Sequence, residues 1–229
     1  RGINFNLQSG VSSIERTADN KQVVISYNQK GQDKQIPADV VLIATGRAAN
    51  VEGLGLETAG INCIKQGIET NDNYETNVPG VYAIGDVNGK QMLAHAASFQ
   101  GMRVVNKILN KKDKIRFDIM PAAVFTYPEA GSVGMSEDAC KKDGIKCIVK
   151  KGFYRANGKA LAMEETEGML KVIANEEGKI IGCHVFGAHS ADIIQEVAVL
   201  MNNDATLDDL RDIIHIHPTI GEILLDTII

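Results

Sequence analysis

Eight residues near the end of the chain, His215-Ile216-His217-Pro218-Thr219-Ile220-Gly221-Glu222, bring together two histidines, a proline and a carboxylate. A histidine near its unperturbed pKa of ~6.5 can take or give a proton at neutral pH. A carboxylate bonded to one ring nitrogen fixes the tautomer and raises the basicity of the other. The candidate chemistry is therefore general-base catalysis, with His217 as the base and Glu222 as the group that orients its ring. The octet by itself leaves open that His217, squeezed before Pro218 in a turn, is a satisfied structural histidine. Surrounding elements have to break that tie.

At 229 residues, 44% hydrophobic and 23% charged, the chain is long enough for one large or two modest domains and ordinary globular in composition. A net charge of -5 with a pI near 5.6 removes the electrostatic case for nucleic acid and for an anionic membrane surface. No apolar run approaches the ~20 residues of a spanning helix. The opening Arg1-Gly2-Ile3-Asn4-Phe5 lacks the layout of a secretory signal, so a cytoplasmic location is expected. Cys63, Cys140, Cys147 and Cys183 are scattered without short paired spacing. They write neither a zinc knuckle nor a redox dithiol motif, so reduced thiols and no metal site are expected.

The elements that must position the octet begin with a β-rich run, Lys21 to Tyr27, followed by an Asn28-Gln29-Lys30-Gly31 turn and a return through Ile36, a hairpin or meander. Asp39-Val40-Val41-Leu42-Ile43-Ala44-Thr45-Gly46 then sets five apolar residues between an acid and Thr45-Gly46, which predicts a central strand buried on both faces. Gly80-Val81-Tyr82-Ala83-Ile84-Gly85-Asp86 repeats that pattern. In doubly wound sheets ligands sit beyond the carboxyl ends of strands, where glycine admits a close backbone and an acid can bind a sugar hydroxyl. Gly46, Gly85 and Asp86 occupy such places; the bland alternative is that the glycines end strands and Asp86 starts a turn. Directly afterwards Gln91 to Leu109 predicts a helix with Leu93, Ala97, Val104 and Ile108 on one stripe, its N-terminus offering unpaired N–H groups to a ring or a phosphate.

Pattern changes at Lys111-Lys112-Asp113-Lys114, the expected domain boundary. Beyond it, strands are expected at Ala122 to Thr126, Ala130 to Gly134, Cys147 to Phe153, Met169 to Ala174 and Ile180 to Gly187, the last two joined by an Asn175-Glu176-Glu177-Gly178 turn. Helices are expected at Ser136 to Lys142, at Ala191 to Asn202, and at Leu207 to Ile213 with Thr206 as N-cap. The fold class is thus α/β and α+β: the end of a nucleotide-binding, Rossmann-like region followed by an α+β interface or dimerisation domain with an antiparallel sheet.

Five segments in order, Ala44-Thr45-Gly46-Arg47, Ala83-Ile84-Gly85-Asp86, Met92-Leu93-Ala94-His95, Val124-Phe125-Thr126-Tyr127-Pro128-Glu129 and His215-Ile216-His217-Pro218-Thr219, resemble the flavoprotein disulfide reductases. The resemblance runs over the whole chain but covers roughly the second half of that family's length. It implies that residues 1–50 close an NAD-binding domain, that 51–114 are the returning segment of an FAD-binding domain, and that 115–229 form the interface domain of a homodimer. By the same resemblance His217 deprotonates a thiol, Glu222 orients its ring, and Asp86 with the adjoining Gly85 receives a ribityl hydroxyl of FAD. Met92, Leu93, Ala94 and His95 would present backbone groups to the flavin's pyrimidine edge, which gains negative charge on reduction. Val11 and Gly46 match positions lining the NAD pocket, although a valine in a β run is more often a core residue.

Within the family, the histidine two places before His217 resembles members that oxidise dihydrolipoamide rather than reduce glutathione, and no C-terminal cysteine pair resembles the mercuric reductases. The implied partner is the lipoyl-bearing acyltransferase of 2-oxo acid dehydrogenase complexes. Several positions depart from the family pattern: Arg47-Ala48-Ala49-Asn50, Ala96, Gln100 and Gly221. The sequence also lacks a GxGxxG fingerprint and a Cys-x-x-x-x-Cys redox pair. It is therefore expected to be a piece of a longer protein and inactive by itself, since the base of one subunit serves the disulfide of the other. The alternatives are a glutathione-type reductase piece and a non-catalytic dimerisation module pairing through Ile193, Val197 and Leu200.

Overall fold

A computed structural model describes residues 2–229, which fall into two compact units, the first ending at residue 47 and the second covering 48–229. In the first, strands β1 (Ser9–Arg16), β2 (Val23–Gln29) and β3 (Gln32–Ala38) form an antiparallel meander in sequence order. The β2–β3 hairpin closes where the Asn28 side chain accepts the Gly31 N–H at 3.0 Å, the local bond that makes asparagine a turn residue. Asp39 to Gly46, expected as a buried central strand, carries no strand and is largely exposed, with Val40 and Leu42 at 84% and 87%. A strand buried on both faces requires flanking strands for its N–H and C=O groups and cover above and below. None of the described strands pairs with these residues.

The second unit opens with a short hairpin, β4 (Cys63–Ile64) and β5 (Gly67–Ile68), beside a small cluster of Leu56, Ile68 and Ala83. Gly80 to Asp86 is likewise not a buried strand: only an isolated bridge, Glu75 to Tyr82, pairs it, and Val81 and Ile84 are exposed. Helix α1 (Ala94–Ile108) buries Ala96, Gln100 and Val104. The expected stripe through Ile108 is corrected, since Ile108 is exposed. Gln100 turns inward because its Oε1 accepts the Gly85 N–H at 2.7 Å and the Asn88 amide at 2.9 Å, two buried donors that would otherwise lack an acceptor.

The main sheet has the order β6 (Ala122–Val124), β7 (Ala130–Gly134), β10 (Ile180–Phe186), β9 (Met169–Asn175), β8 (Cys147–Phe153), antiparallel throughout. Between strands lie helices α2 (Glu137–Lys142), capped by Ser136, and α3 (Gly158–Ala162), capped by Asn157. After β10 come α4 (Ser190–Asn202), α5 (Leu207–Arg211), which ends two residues before the expected Ile213, and α6 (Ile223–Ile228). Thr206 and Asp209 form a capping box on α5.

Register places α4 and α6 side by side on one face. Gly131, Val185, Leu170 and Gly152 lie opposite one another across the four strands, and a Cβ on Gly131 would meet Ile194 of α4 while one on Gly152 would meet Thr227 of α6. Gly152 is thus required by close approach: no side chain fits between β8 and α6. Val133, Leu170, Val172, Cys183, Ile194, Val197 and Leu224 fill the core between these layers. Ile193, Val197 and Leu200, the candidate pairing stripe, are buried inside this unit, because the apolar face of the sheet needs that cover first.

The opposite face carries α2. Lys171 donates to Glu137 at 2.9 Å, and Lys141 pairs with the same carboxylate at 3.3 Å. Hydrogen bonding from Lys171, then from Lys141, holds the Glu137 carboxyl at about 2, below its usual 4.5. A depressed folded-state pKa contributes stability that is complete above pH ~4.5 and lost as pH falls toward 2. Acid titration of urea midpoints should therefore show a steeper loss between those values in the native chain than in Glu137→Gln; parallel curves would remove this pair from the acid response.

Candidate functional site

His217 and Glu222 meet as the spacing predicts. The His217 Nδ1 lies 2.9 Å from Glu222 Oε1, and because a carboxylate only accepts, Nδ1 carries the hydrogen and Nε2 presents a lone pair. The His217 side chain is 80% exposed, so that lone pair is open to a substrate. Glu222, 22% exposed, sits in a 3₁₀ turn, Ile220–Glu222, where its Oε2 accepts the Thr219 N–H at 2.8 Å. This backbone bond, followed by the bond from His217, lowers the Glu222 pKa, so the carboxylate stays ionised as the partner of the ring. The His217-Pro218 peptide is cis.

Three further contacts hold the loop. The Thr219 hydroxyl donates to the Ile216 carbonyl at 2.7 Å, and the buried Asn157 amide donates to the Thr219 carbonyl at 3.1 Å. The third comes from His215, whose side chain is 6% exposed, with Nε2 3.0 Å from Glu196 of α4 and Nδ1 3.0 Å from the Ile213 carbonyl. It braces the loop on α4, whereas His217 projects outward. Sequence reasoning does not find Asn157 or Glu196. Asn157 carries a signal, since it precedes Gly158 as a helix cap, but nothing local couples Glu196 to His215.

A second group gathers at the start of α1. Gly85 opens a 3₁₀ turn, Gly85–Asn88, at φ 73°, a conformation that favours glycine, and a Cβ there would press Ala97 at 3.2 Å. Asp86 follows it and is exposed. The N-cap of α1 is Leu93, which supplies no side-chain cap, so the first-turn N–H groups after Met92, Leu93, Ala94 and His95 have no side-chain acceptor at the cap. A helix start of this kind can offer its N–H groups to an electron-rich group, and the Asp86 carboxylate lies a few residues ahead of it in the chain. The His95 ring turns elsewhere, with Nε2 2.8 Å from the Pro121 carbonyl. It lines a cavity of about 720 Å³ between α1 and α4 that contains neither Asp86 nor His217.

Val11 and Gly46 belong to the first unit. Val11 is an exposed residue of β1, not a core valine, and Gly46 has φ 109° in an exposed segment. Among the described residues no cluster of three or more His, Cys, Asp or Glu could hold a metal ion, and no helix is long and apolar enough to cross a membrane.

Residues 1–101 match the family model for pyridine nucleotide-disulphide oxidoreductase, and residues 120–228 match the model for the dimerisation domain of the same family. The chain belongs to the pyridine nucleotide-disulphide oxidoreductases, whose chemistry implies flavin and nicotinamide cofactors. Among curated relatives it is 40% identical over 224 residues to dihydrolipoyl dehydrogenase of Chlamydia muridarum (strain MoPn / Nigg), covering 97% of this chain and 47% of that protein. Against dihydrolipoyl dehydrogenase of Bacillus subtilis (strain 168) it is 39% identical over 206 residues, 89% of this chain and 44% of the relative. The chain spans about half the length of the curated relatives it matches. The fold also resembles the flavoprotein disulfide reductase RclA from Escherichia coli at TM-score 0.84 and 25% identity, over 96% of this chain and 50% of that one. LpdA from Mycobacterium tuberculosis has the same fold at TM-score 0.87 and 24% identity, over 96% of this chain and 48% of that one.

Proposed function

We propose that this chain is the C-terminal half of a dihydrolipoyl dehydrogenase, and that the His217–Glu222 pair is its acid–base site. The carrying observation is the 2.9 Å bond from His217 Nδ1 to a carboxylate that is itself held by the Thr219 N–H, with Nε2 left open. Nε2 takes the S–H proton of a dihydrolipoyl group, and the resulting thiolate attacks a cysteine disulfide of the partner subunit in a homodimer. Imidazolium formation is stabilised by the fixed charge of Glu222, which stays ionised throughout. FAD, when bound, supplies the two-electron acceptor that returns the electrons to NAD.

For that cofactor, Gly85 and Asp86 hold the ribityl chain and the start of α1, Met92 to His95, holds the ring edge; Val11 and Gly46 line the NAD pocket. The proposed domain division is 1–50, 51–114 and 115–229. Support for the dimer comes from the dimerisation-domain match at 120–228. In this reading the partner is the lipoyl-bearing acyltransferase of a 2-oxo acid dehydrogenase complex, and the location is cytoplasmic. The test compares two reactions of the complete protein: NAD reduction by dihydrolipoamide should exceed glutathione disulfide reduction by ~100-fold or more. The opposite preference would assign the site to glutathione chemistry.

A further inference from the structure

Cys140 and Cys147, with six residues between them, show no dithiol motif in sequence, yet the fold sets both on the same side of the five-stranded sheet. Cys140, near the end of α2, is wholly buried. The chain then turns back, Ile145 N–H donating to the Cys140 carbonyl at 2.9 Å, and β8 begins at Cys147. Alternation along β8 fixes which way Cys147 points. Gly152 faces α6, so Cys147, Val149 and Lys151 face the other side of the sheet. That side is covered by α2: Lys171, directly opposite Lys151, donates to Glu137 of α2. The Cys147 side chain therefore faces the layer in which Cys140 is buried, one turn of chain away, and both thiols are free.

We propose that Cys140 and Cys147 are a thiol–disulfide couple, distinct from the His217 site, that is oxidised by low-molecular-weight disulfides of the glutathione type. Cys147 is half-buried and reachable from solvent, whereas Cys140 is not, which sets the order of events. The Cys147 thiolate, its proton released to solvent, attacks one sulfur of the disulfide, forming a mixed disulfide and expelling one thiolate. Cys140 then attacks the Cys147 sulfur, losing its proton to solvent and expelling the second thiolate. The protein loses two electrons and two protons, and the small disulfide becomes two thiols. Burial, reinforced by the neighbouring Cys147, pushes the Cys140 thiol up, so Cys140 serves as the resolving group rather than the entry point. The product ties α2 to β8, the outer strand of the five-stranded sheet.

Lysines make the test direct, because tryptic cleavage after Lys141, Lys142 and Lys146 places the two cysteines on separate peptides. The folded protein is treated with glutathione disulfide, quenched with an alkylating agent and digested without reductant. The expected result is a linked pair, the peptide ending at Lys141 joined to the one beginning at Cys147, about tenfold over glutathionylated Cys147. Cys63→Ser should leave that yield unchanged, and Cys140→Ser should convert Cys147 to the stable mixed disulfide. The proposal is overturned if native Cys147 retains glutathione without linking, or if both cysteines are recovered alkylated while exposed Cys63 has reacted.

Discussion

Glutamine in place of His217 should lower dihydrolipoamide-dependent NAD reduction by the complete dimeric protein about 100-fold or more, with flavin still bound. Glutamine keeps a donor that can reach Glu222 but has no basic nitrogen, so the S–H proton loses its acceptor while the loop keeps its other ties. Those ties are the Thr219 N–H to Glu222 at 2.8 Å, the Thr219 hydroxyl to Ile216 at 2.7 Å and the Asn157 amide to Thr219 at 3.1 Å, none of which involves the His217 ring. The side chain is 80% exposed, so its loss leaves no cavity. Steady-state turnover and the flavin absorbance of the purified variant check both halves of the expectation; near-normal turnover would remove His217 from the mechanism. Because the Thr219 bond, and then His217, hold Glu222 below its usual carboxylate range, the orienting carboxylate stays charged as pH falls through 4.5.

Truncation of Leu224 to alanine should cost about 2–5 kcal/mol of folding stability, the range for deleting a fully buried leucine whose neighbours relax only partly. Leu224 lies in α6 with no exposure, in the layer that packs on β8 and β9 next to α4. Urea denaturation should show a lower midpoint with an unchanged slope. The same helix begins directly after Glu222, so the variant joins core packing to the position of the orienting carboxylate. An unaltered midpoint would mean that α6 is not part of the core described above.

Legibility in the sequence follows the range of the forces. Local patterning places strands β7 and β8 to the residue, Ala130 to Gly134 and Cys147 to Phe153, and identifies the cap Thr206, because alternation and capping are set by neighbours within a few residues. Asp39 to Gly46 and Gly80 to Asp86 fail for the complementary reason. Their apolar letters promise a doubly covered strand, but strand formation depends on partners that none of the described strands supplies.

By itself the sequence determined the chemistry on offer: a histidine five positions before a carboxylate, a glycine and aspartate ahead of a helix start, and an antiparallel α+β unit. Only the tertiary structure decided how its two histidines are held. His215 and His217 are equivalent as letters, but α4 comes from elsewhere in the chain to bury one against Glu196, while the turn at Thr219 holds Glu222 against the other and leaves its Nε2 in solvent. The placing of Cys140 and Cys147 in one layer was decided in the same way, by the side of the sheet on which α2 packs. Burial and cross-chain contact are sums over residues distant in sequence, and a local motif holds no record of them.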